Sequence, residues 1–108
     1  MSTTKTETES DILDRDLCSG FVPLYVLQLA DDAPVFGLRI VEELARHGYR
    51  ISPGTLYPLL HNLEKKGYLR SDQERDGRAL RRLYRTTKSG RKAFAAARRK
   101  GREMIEGK

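Results

Sequence analysis

Few side chains in this chain can do more chemistry than charge and packing allow. There are two histidines, His47 and His61, one cysteine, Cys18, and no tryptophan. None of these sits in a nucleophile pattern, a metal-ligand spacing or a glycine-rich phosphate loop. The residue types therefore point away from an enzyme, from a cofactor-dependent protein and from a metal sensor. A different chemistry gathers in residues 51–69, ISPGTLYPLLHNLEKKGYL. Ser52, Thr55, Tyr57, His61 and Asn62 are hydrogen-bonding groups in one short stretch, with Lys65 beyond them. Such groups can reach phosphate oxygens and base edges. Asparagine suits adenine, and histidine can donate to a guanine acceptor or to phosphate.

A helix must carry that set. Leu56, Leu59, Leu60 and Leu63 recur at i, i+3, i+4 and i+7 and form one apolar stripe. Thr55, Tyr57, Pro58, His61, Asn62 and Lys65 are left to face outward or sideways. Ser52 is a suitable N-cap and Pro53 a suitable first helical residue. Pro58 costs an amide hydrogen bond to the carbonyl near Gly54. Two readings of it stand: it distorts the first turn and exposes residues 52–57 for contact, or it sits in a loosely wound turn. The Tyr57 ring either reaches a partner or packs on a neighbouring element with its hydroxyl outward. The free amides of the helix N-terminus favour an anion.

Other elements surround this helix. Residues 11–31 carry Ile12, Leu13, Leu17, Phe21, Leu24, Val26 and Leu27 at helical spacing. Gly20 and Pro23 interrupt them, so a kink or a junction of two helices is expected near residues 19–22. Leu17 and Phe21 beside Cys18 suggest a buried thiol. DDAPVFG reads as a turn. Residues 37–47 form a helix with Leu38, Val41, Leu44 and Ala45 on one face and His47 at its end. Gly48 and Gly67 are expected to terminate successive helices. The period then changes. YLRSDQE and ALRRLYRT flank Arg75-Asp76-Gly77-Arg78, and Asp-Gly between strand-like runs signals a hairpin. With Asp76 and Gly77 as the two loop residues, Leu69 lies opposite Tyr84 and Asp72 opposite Arg81. Arg75 and Arg78 flank the tip, where they can meet phosphates or a minor groove. Arg81, Arg82 and Arg85 contact a nucleic-acid backbone or stay in solvent. Thr87 caps a final helix whose apolar line, Phe94, Ala97, Gly101, Met104 and Ile105, is thin and suits close approach to another helix.

Charge indicates the partner. The chain has 108 residues, enough for one modest core, and a net charge of +6. The charge is unevenly spread: residues 75–102 hold twelve Lys or Arg against Asp76 alone, whereas residues 1–16 are net acidic. A basic half this concentrated implies a polyanion. There is no long apolar run and no signal pattern, and the lone cysteine fits a reducing compartment. A cytoplasmic protein without a membrane partner is expected.

The fold class is mainly α with a small β-hairpin. Three helices, a two-stranded hairpin and a final helix make a winged helix-turn-helix with flanking N- and C-terminal helices. The third helix would enter the major groove of double-stranded DNA with the hairpin as a wing beside it. On ISPGTLYPLLHNLEKKGYL and RRLYRTTKSGRKAF, the chain resembles the PadR family of bacterial transcriptional regulators from about Leu17 to Phe94. The resemblance implies a homodimer on a pseudo-palindromic operator. It implies repression by default, often relieved by a small-molecule effector. It also implies dimerisation through the N-terminal helix (Ile12, Leu13, Leu17, Phe21) and the C-terminal helix (Phe94, Ala97, Gly101, Met104, Ile105). Ser52, Thr55, Tyr57 and the wing match the family's DNA-contacting elements. The expected contact set is Ser52, Thr55, Tyr57, His61, Asn62, Lys65, Arg75, Arg78 and Arg82. The chain departs from the family at Pro23, which interrupts a helix that is usually continuous, and in a C-terminal helix poor in large apolar residues. The expected organisation is a disordered tail over 1–10, the DNA-binding domain over 11–88 and a dimerisation helix over 89–108. The competing class is a winged-helix module for protein association, which calls for an exposed apolar patch on the third helix.

Overall fold

Leucines spaced to one side of a rod need a surface to cover, and the tertiary structure supplies it. The computed structural model describes residues 14–107. The expected tail and the dimer residues Ile12 and Leu13 lie outside the described residues. The elements run α1 (Arg15–Cys18), α2 (Phe21–Asp32), β1 (Val35–Phe36), α3 (Gly37–Arg46), α4 (Pro53–Lys65), β2 (Leu69–Asp76), β3 (Ala79–Thr86) and α5 (Lys88–Glu106). Val26, Ile40, Leu56 and Leu60 are wholly buried where α2, α3 and α4 meet, and Leu69 and Tyr84 extend that core to the sheet. Among the described residues no helix is long and apolar enough to cross a membrane.

The expected break in the first helical segment is present, at Ser19–Gly20, beginning four residues before Pro23. The chain leaves α1 at Ser19–Gly20 and re-enters helix at Phe21. Pro23 falls in the first turn of α2, where its missing amide has no helical partner to lose. The Asp14 carboxylate caps α1 by accepting from the amides of Asp16 (3.0 Å) and Leu17 (3.2 Å). Cys18 is half-buried rather than a core thiol, and both of its apolar neighbours are exposed. In α3 the face differs from the one expected. Ile40 and Leu44 are buried, Val41 is half-buried, and Leu38 and Ala45 are outside. The helix is rotated because Gly37 and Ile40, rather than Leu38 and Ala45, meet α4 and the sheet.

DDAPVFG is more than a turn. Val35 and Phe36 form β1, paired antiparallel with Tyr84 and Leu83, so the sheet has three strands in the order β1-β3-β2. Two residues are too few for alternation to show in a sequence. The hairpin register also differs. Gly77 and Arg78 form the loop, which puts Leu69 opposite Thr86, Ser71 opposite Tyr84, Asp72 opposite Leu83 and Glu74 opposite Arg81. An Asp-Gly loop of type I′ would need positive φ at both residues. Only Gly77 has it, at 69°, and no non-glycine residue among those described does. Each partner moves by two positions, so every side chain keeps its face. Arg81 binds Asp76 at 3.0 Å, diagonally across the ladder, in place of Asp72.

The base of the wing is tied to the core. The Thr86 hydroxyl donates to the Leu27 carbonyl at 2.7 Å. The Thr87 hydroxyl accepts from the Gly90 amide at 2.9 Å, which is the expected cap, and donates to the Gly67 carbonyl at 2.6 Å. Gly90 is buried against the Tyr68 carbonyl, where a Cβ would have no room.

Candidate nucleic-acid interface

The leucine stripe of α4 behaves as its spacing requires. Leu56, Leu60 and Leu63 are buried and Leu59 is half-buried. Ser52, Thr55, Tyr57, His61, Asn62 and Lys65 all come out exposed as a consequence. Ser52 occupies the N-cap position, but its side chain does not cap. Its hydroxyl donates to the Thr55 hydroxyl at 3.2 Å, which leaves a pair of exposed hydroxyls at the helix start. The helix runs unbroken through Pro58, and Pro58 itself is exposed. Gly54 stands four residues before it, and both the Thr55 and Leu56 amides bond to the Ser52 carbonyl, at 3.0 and 2.9 Å. The helix thus accommodates the proline without a break, and Ser52, Thr55 and Tyr57 stay exposed.

Tyr57 packs on α3 as well as facing outward. Half of it is exposed, and its hydroxyl and ring edge lie over Gly37, where a Cβ would come within 2.9 Å of the Tyr57 oxygen. The glycine makes room for the ring. On the other side stands the wing. Leu80, Arg82, Tyr84 and Thr86 share one face of β3, and the inner two are buried while the outer two are exposed. Between this face, the start of α3 and α4 lies an open groove of about 430 Å³, with Tyr57, His61, Glu64 and Arg82 among its walls. Burial raises the pKa of the Tyr84 phenol, with the Glu64 carboxylate and Tyr57 adding to the shift and Arg82 opposing it. The groove is therefore backed by a neutral phenol.

A side-chain chain joins wing to helix. The Ser71 hydroxyl donates to Glu64 Oε2 at 2.6 Å, and Arg82 Nη1 donates to Ser71 Oγ at 3.1 Å. Glu64 thus braces β2 against α4 and draws Arg82 to the helix side of the wing. Arg75 and Arg78 remain exposed at the tip. The structure brings Tyr57, His61 and Arg82 around one groove, leaves Ser52 and Thr55 at the helix start, and sets Arg75 and Arg78 at the far end of the hairpin. Sequence reasoning missed Glu64, Ser71 and Leu80, and it put Leu38, which lines this groove, on the inner face of its helix. Leu80 was within reach, because it alternates with Arg82 and the buried Tyr84. Glu64 and Ser71 carry no local signal, since their meeting depends on how the hairpin docks. Among the described residues no cluster of three His, Cys, Asp or Glu side chains could hold a metal ion.

This arrangement of helix and braced wing has relatives. The model of the transcriptional regulator PadR-like family matches residues 26–96. The chain belongs to the PadR-like family. It is thus a transcriptional regulator, and members of this family are DNA-binding regulators rather than enzymes. The transcriptional regulator Rv3488 of Mycobacterium tuberculosis is 50% identical over 91 residues, covering 83% of this chain and 84% of that protein. A PadR family transcriptional regulator from Eggerthella lenta is 33% identical, with a TM-score of 0.79 over 85% of this chain and 81% of its own. A transcriptional regulator from Clostridium thermocellum, 24% identical with a TM-score of 0.77, covers 88% of this chain and 93% of its own and shares the fold. In this PadR-like chain the matched segment begins inside α2 and ends in α5, so it takes in α4, the wing and the brace between them.

Proposed function

We propose that this PadR-like protein is a homodimeric repressor that reads operator DNA with α4 and clamps it with the wing. The observation that carries the reading is the outward side of α4. Ser52, Thr55, Tyr57, His61 and Asn62 are exposed there, beside a basic hairpin braced to the same helix through Glu64 and Ser71. Tyr57, His61, Asn62 and the Ser52–Thr55 hydroxyl pair contact base edges and phosphates, Lys65 and Arg82 contact the backbone, and Arg75 and Arg78 reach phosphates or a minor groove at the wing tip. A protein-association module is disfavoured, because Tyr57 is the one large hydrophobic side chain exposed on α4 among the described residues.

Dimerisation is supported by apolar side chains left uncovered on the two flanking helices. Leu17 is 79% exposed and Phe21 53% on the N-terminal side, and Met104 is 76% and Ile105 74% exposed on α5. Phe94 is half-buried against the core, while Ala97 and Gly101 continue the α5 line outward. Residues 89–108 act as the dimer helix and residues 11–88 as the DNA-binding part. Two copies present two α4 helices to the halves of a pseudo-palindrome. An apolar groove of about 260 Å³, lined by Cys18, Phe21, Tyr25 and His47 among others, adjoins the N-terminal dimer residues and is the place where an effector would act to release DNA. A DNA partner and an unpaired cysteine support a cytoplasmic location.

Selection of bound duplexes from a random pool tests the reading. The expected result is one motif with two inverted halves. A pool that yields no enriched motif sinks sequence-specific binding, and a single unpaired half-site with a monomer in sedimentation sinks the dimer.

A further inference from the structure

The most concentrated charge in the molecule lies on neither α4 nor the wing. It lies along α5. With ~100° between successive residues, Lys88, Arg91, Lys92, Arg98, Arg99 and Arg102 fall within about 120° of one another around the helix axis. The small residues Ala97 and Gly101 and the exposed Met104 lie on the opposite side, assigned above to the dimer, and Ile105 stands at the edge between the two. Arg91 is paired with Asp31 at 3.2 Å. Among the described residues the other five cations have no carboxylate partner, and all are exposed. Glu103 is taken by Lys100 at 3.1 Å, and Glu106 stands at the far end of the stripe.

Solvated surface charge normally mixes both signs so that neighbours screen one another. Here one sign is continued from Lys88 to Arg102, ~21 Å of helix at 1.5 Å per residue. Phosphates of one strand recur every ~3.4 Å of axial rise and wind around the duplex, so a straight stripe of this length meets a few of them. Its residues are lysines and arginines without aromatic or amide companions, which suits phosphate oxygens and offers little to base edges. The stripe starts at the base of the wing, where the Thr87 amide bonds to the Tyr68 carbonyl at 3.0 Å. The length of β3, ~23 Å at 3.3 Å per residue, separates that point from the arginine tip.

We infer that the outer face of α5 is a second, sequence-independent contact for the phosphate backbone of duplex DNA, beyond the segment read by α4 and the wing tip. The inference rests on the DNA-binding reading above and adds a surface to it. The stripe adds affinity for DNA of any sequence through counterion release and leaves the choice of operator to α4.

The test uses the full chain with R98Q, R99Q and R102Q combined, and a random-sequence 40-base-pair duplex titrated through a potassium chloride series. The plot of log affinity against log salt should become shallower by about two to three units, since each phosphate contact contributes ~0.9. The three positions are exposed, so the melting temperature should hold. If it does not, Lys88→Gln with Lys92→Gln on the same stripe gives an independent reading, with an expected change of about one to two units. Random-pool selection should return the same motif from wild type and variant.

An unchanged slope overturns the inference while wild-type binding leaves the α4 reading intact. Failure of the wild type to bind any duplex removes both. An altered motif makes α5 part of the reading surface and overturns sequence independence. If the variant loses affinity for poly-glutamate and keeps its slope on DNA, the stripe serves an acidic protein instead.

Discussion

At the scale of single residues, Tyr57 and Gly37 act as a pair. The ring lies over Gly37, so its hydroxyl position is set by α3 as well as by α4. Tyr57→Phe removes one hydrogen bond worth ~1 kcal/mol, and operator affinity should fall about fivefold with an unchanged melting curve. Gly37→Ala should act on the same readout from a distance. Its Cβ would come within 2.9 Å of the Tyr57 oxygen and push the ring's free end aside. Equal operator affinity in fluorescence titrations of both variants would take Tyr57 off the contact set. Arg78→Ala tests the wing tip: the salt dependence should lose about 0.9 from its slope if Arg78 holds one phosphate. A slope that does not move returns Arg78 to solvent. The exposure of Tyr57 was legible in the spacing of the leucines. Its packing on Gly37 was not, because the two belong to different helices.

At the scale of elements, a short covalent link and a side-chain brace hold the wing beside α4. The covalent link is short, only Lys66, Gly67 and Tyr68, and Gly67 takes the positive φ of 81° that lets the chain leave α4 sharply. The hairpin beyond it is braced by Ser71 between Glu64 and Arg82. Ser71→Ala breaks both bonds without changing the net charge. Hydrogen exchange of the β2 and β3 amides should quicken, and operator affinity should fall while affinity for random duplex stays. Unaltered exchange would mean that the strand pairing alone fixes the wing. At the other end, Gly90→Ala forces a Cβ into the Tyr68 carbonyl and within 2.8 Å of the Thr86 methyl. Backbone gives way less readily than a side chain, so a loss of ~1–3 kcal/mol is expected from overpacking. Circular dichroism should record a melting point about 5 °C lower or more, and an unchanged one would show that α5 shifts freely. The elements themselves were legible: the hairpin, the Thr87 cap and the glycine stops all follow local rules. The two-residue β1 and the hairpin register were not. The first is below the length at which a period can be counted, and the second turned on which residue accepts positive φ.

At the scale of the whole molecule, the uncovered apolar side chains bear on the proposed dimer. Leu17 and Ile105 lie on different elements, and both are exposed. Leu17→Lys and Ile105→Lys together should convert the proposed dimer to a monomer in sedimentation velocity at micromolar concentration, without loss of helical signal. A dimer that survives both substitutions places the interface elsewhere. The same double variant should weaken operator binding far more than it weakens binding to a single half-site, because only a dimer gains from two linked contacts.

What the sequence determined by itself was periodic or local. Leucines at helical spacing oriented α4, alternation kept the faces of β3 even with the partner offset wrong, and charge counting found the basic half of the chain. These readings need only neighbours within a few residues. The tertiary structure decided what distant segments do to one another. Ile40 rather than Leu38 is the buried anchor of α3, Pro23 fits into the start of α2, and Glu64 meets Ser71. Each outcome depends on which surfaces dock, and docking depends on shape and burial summed over the whole core, which no short window of sequence contains.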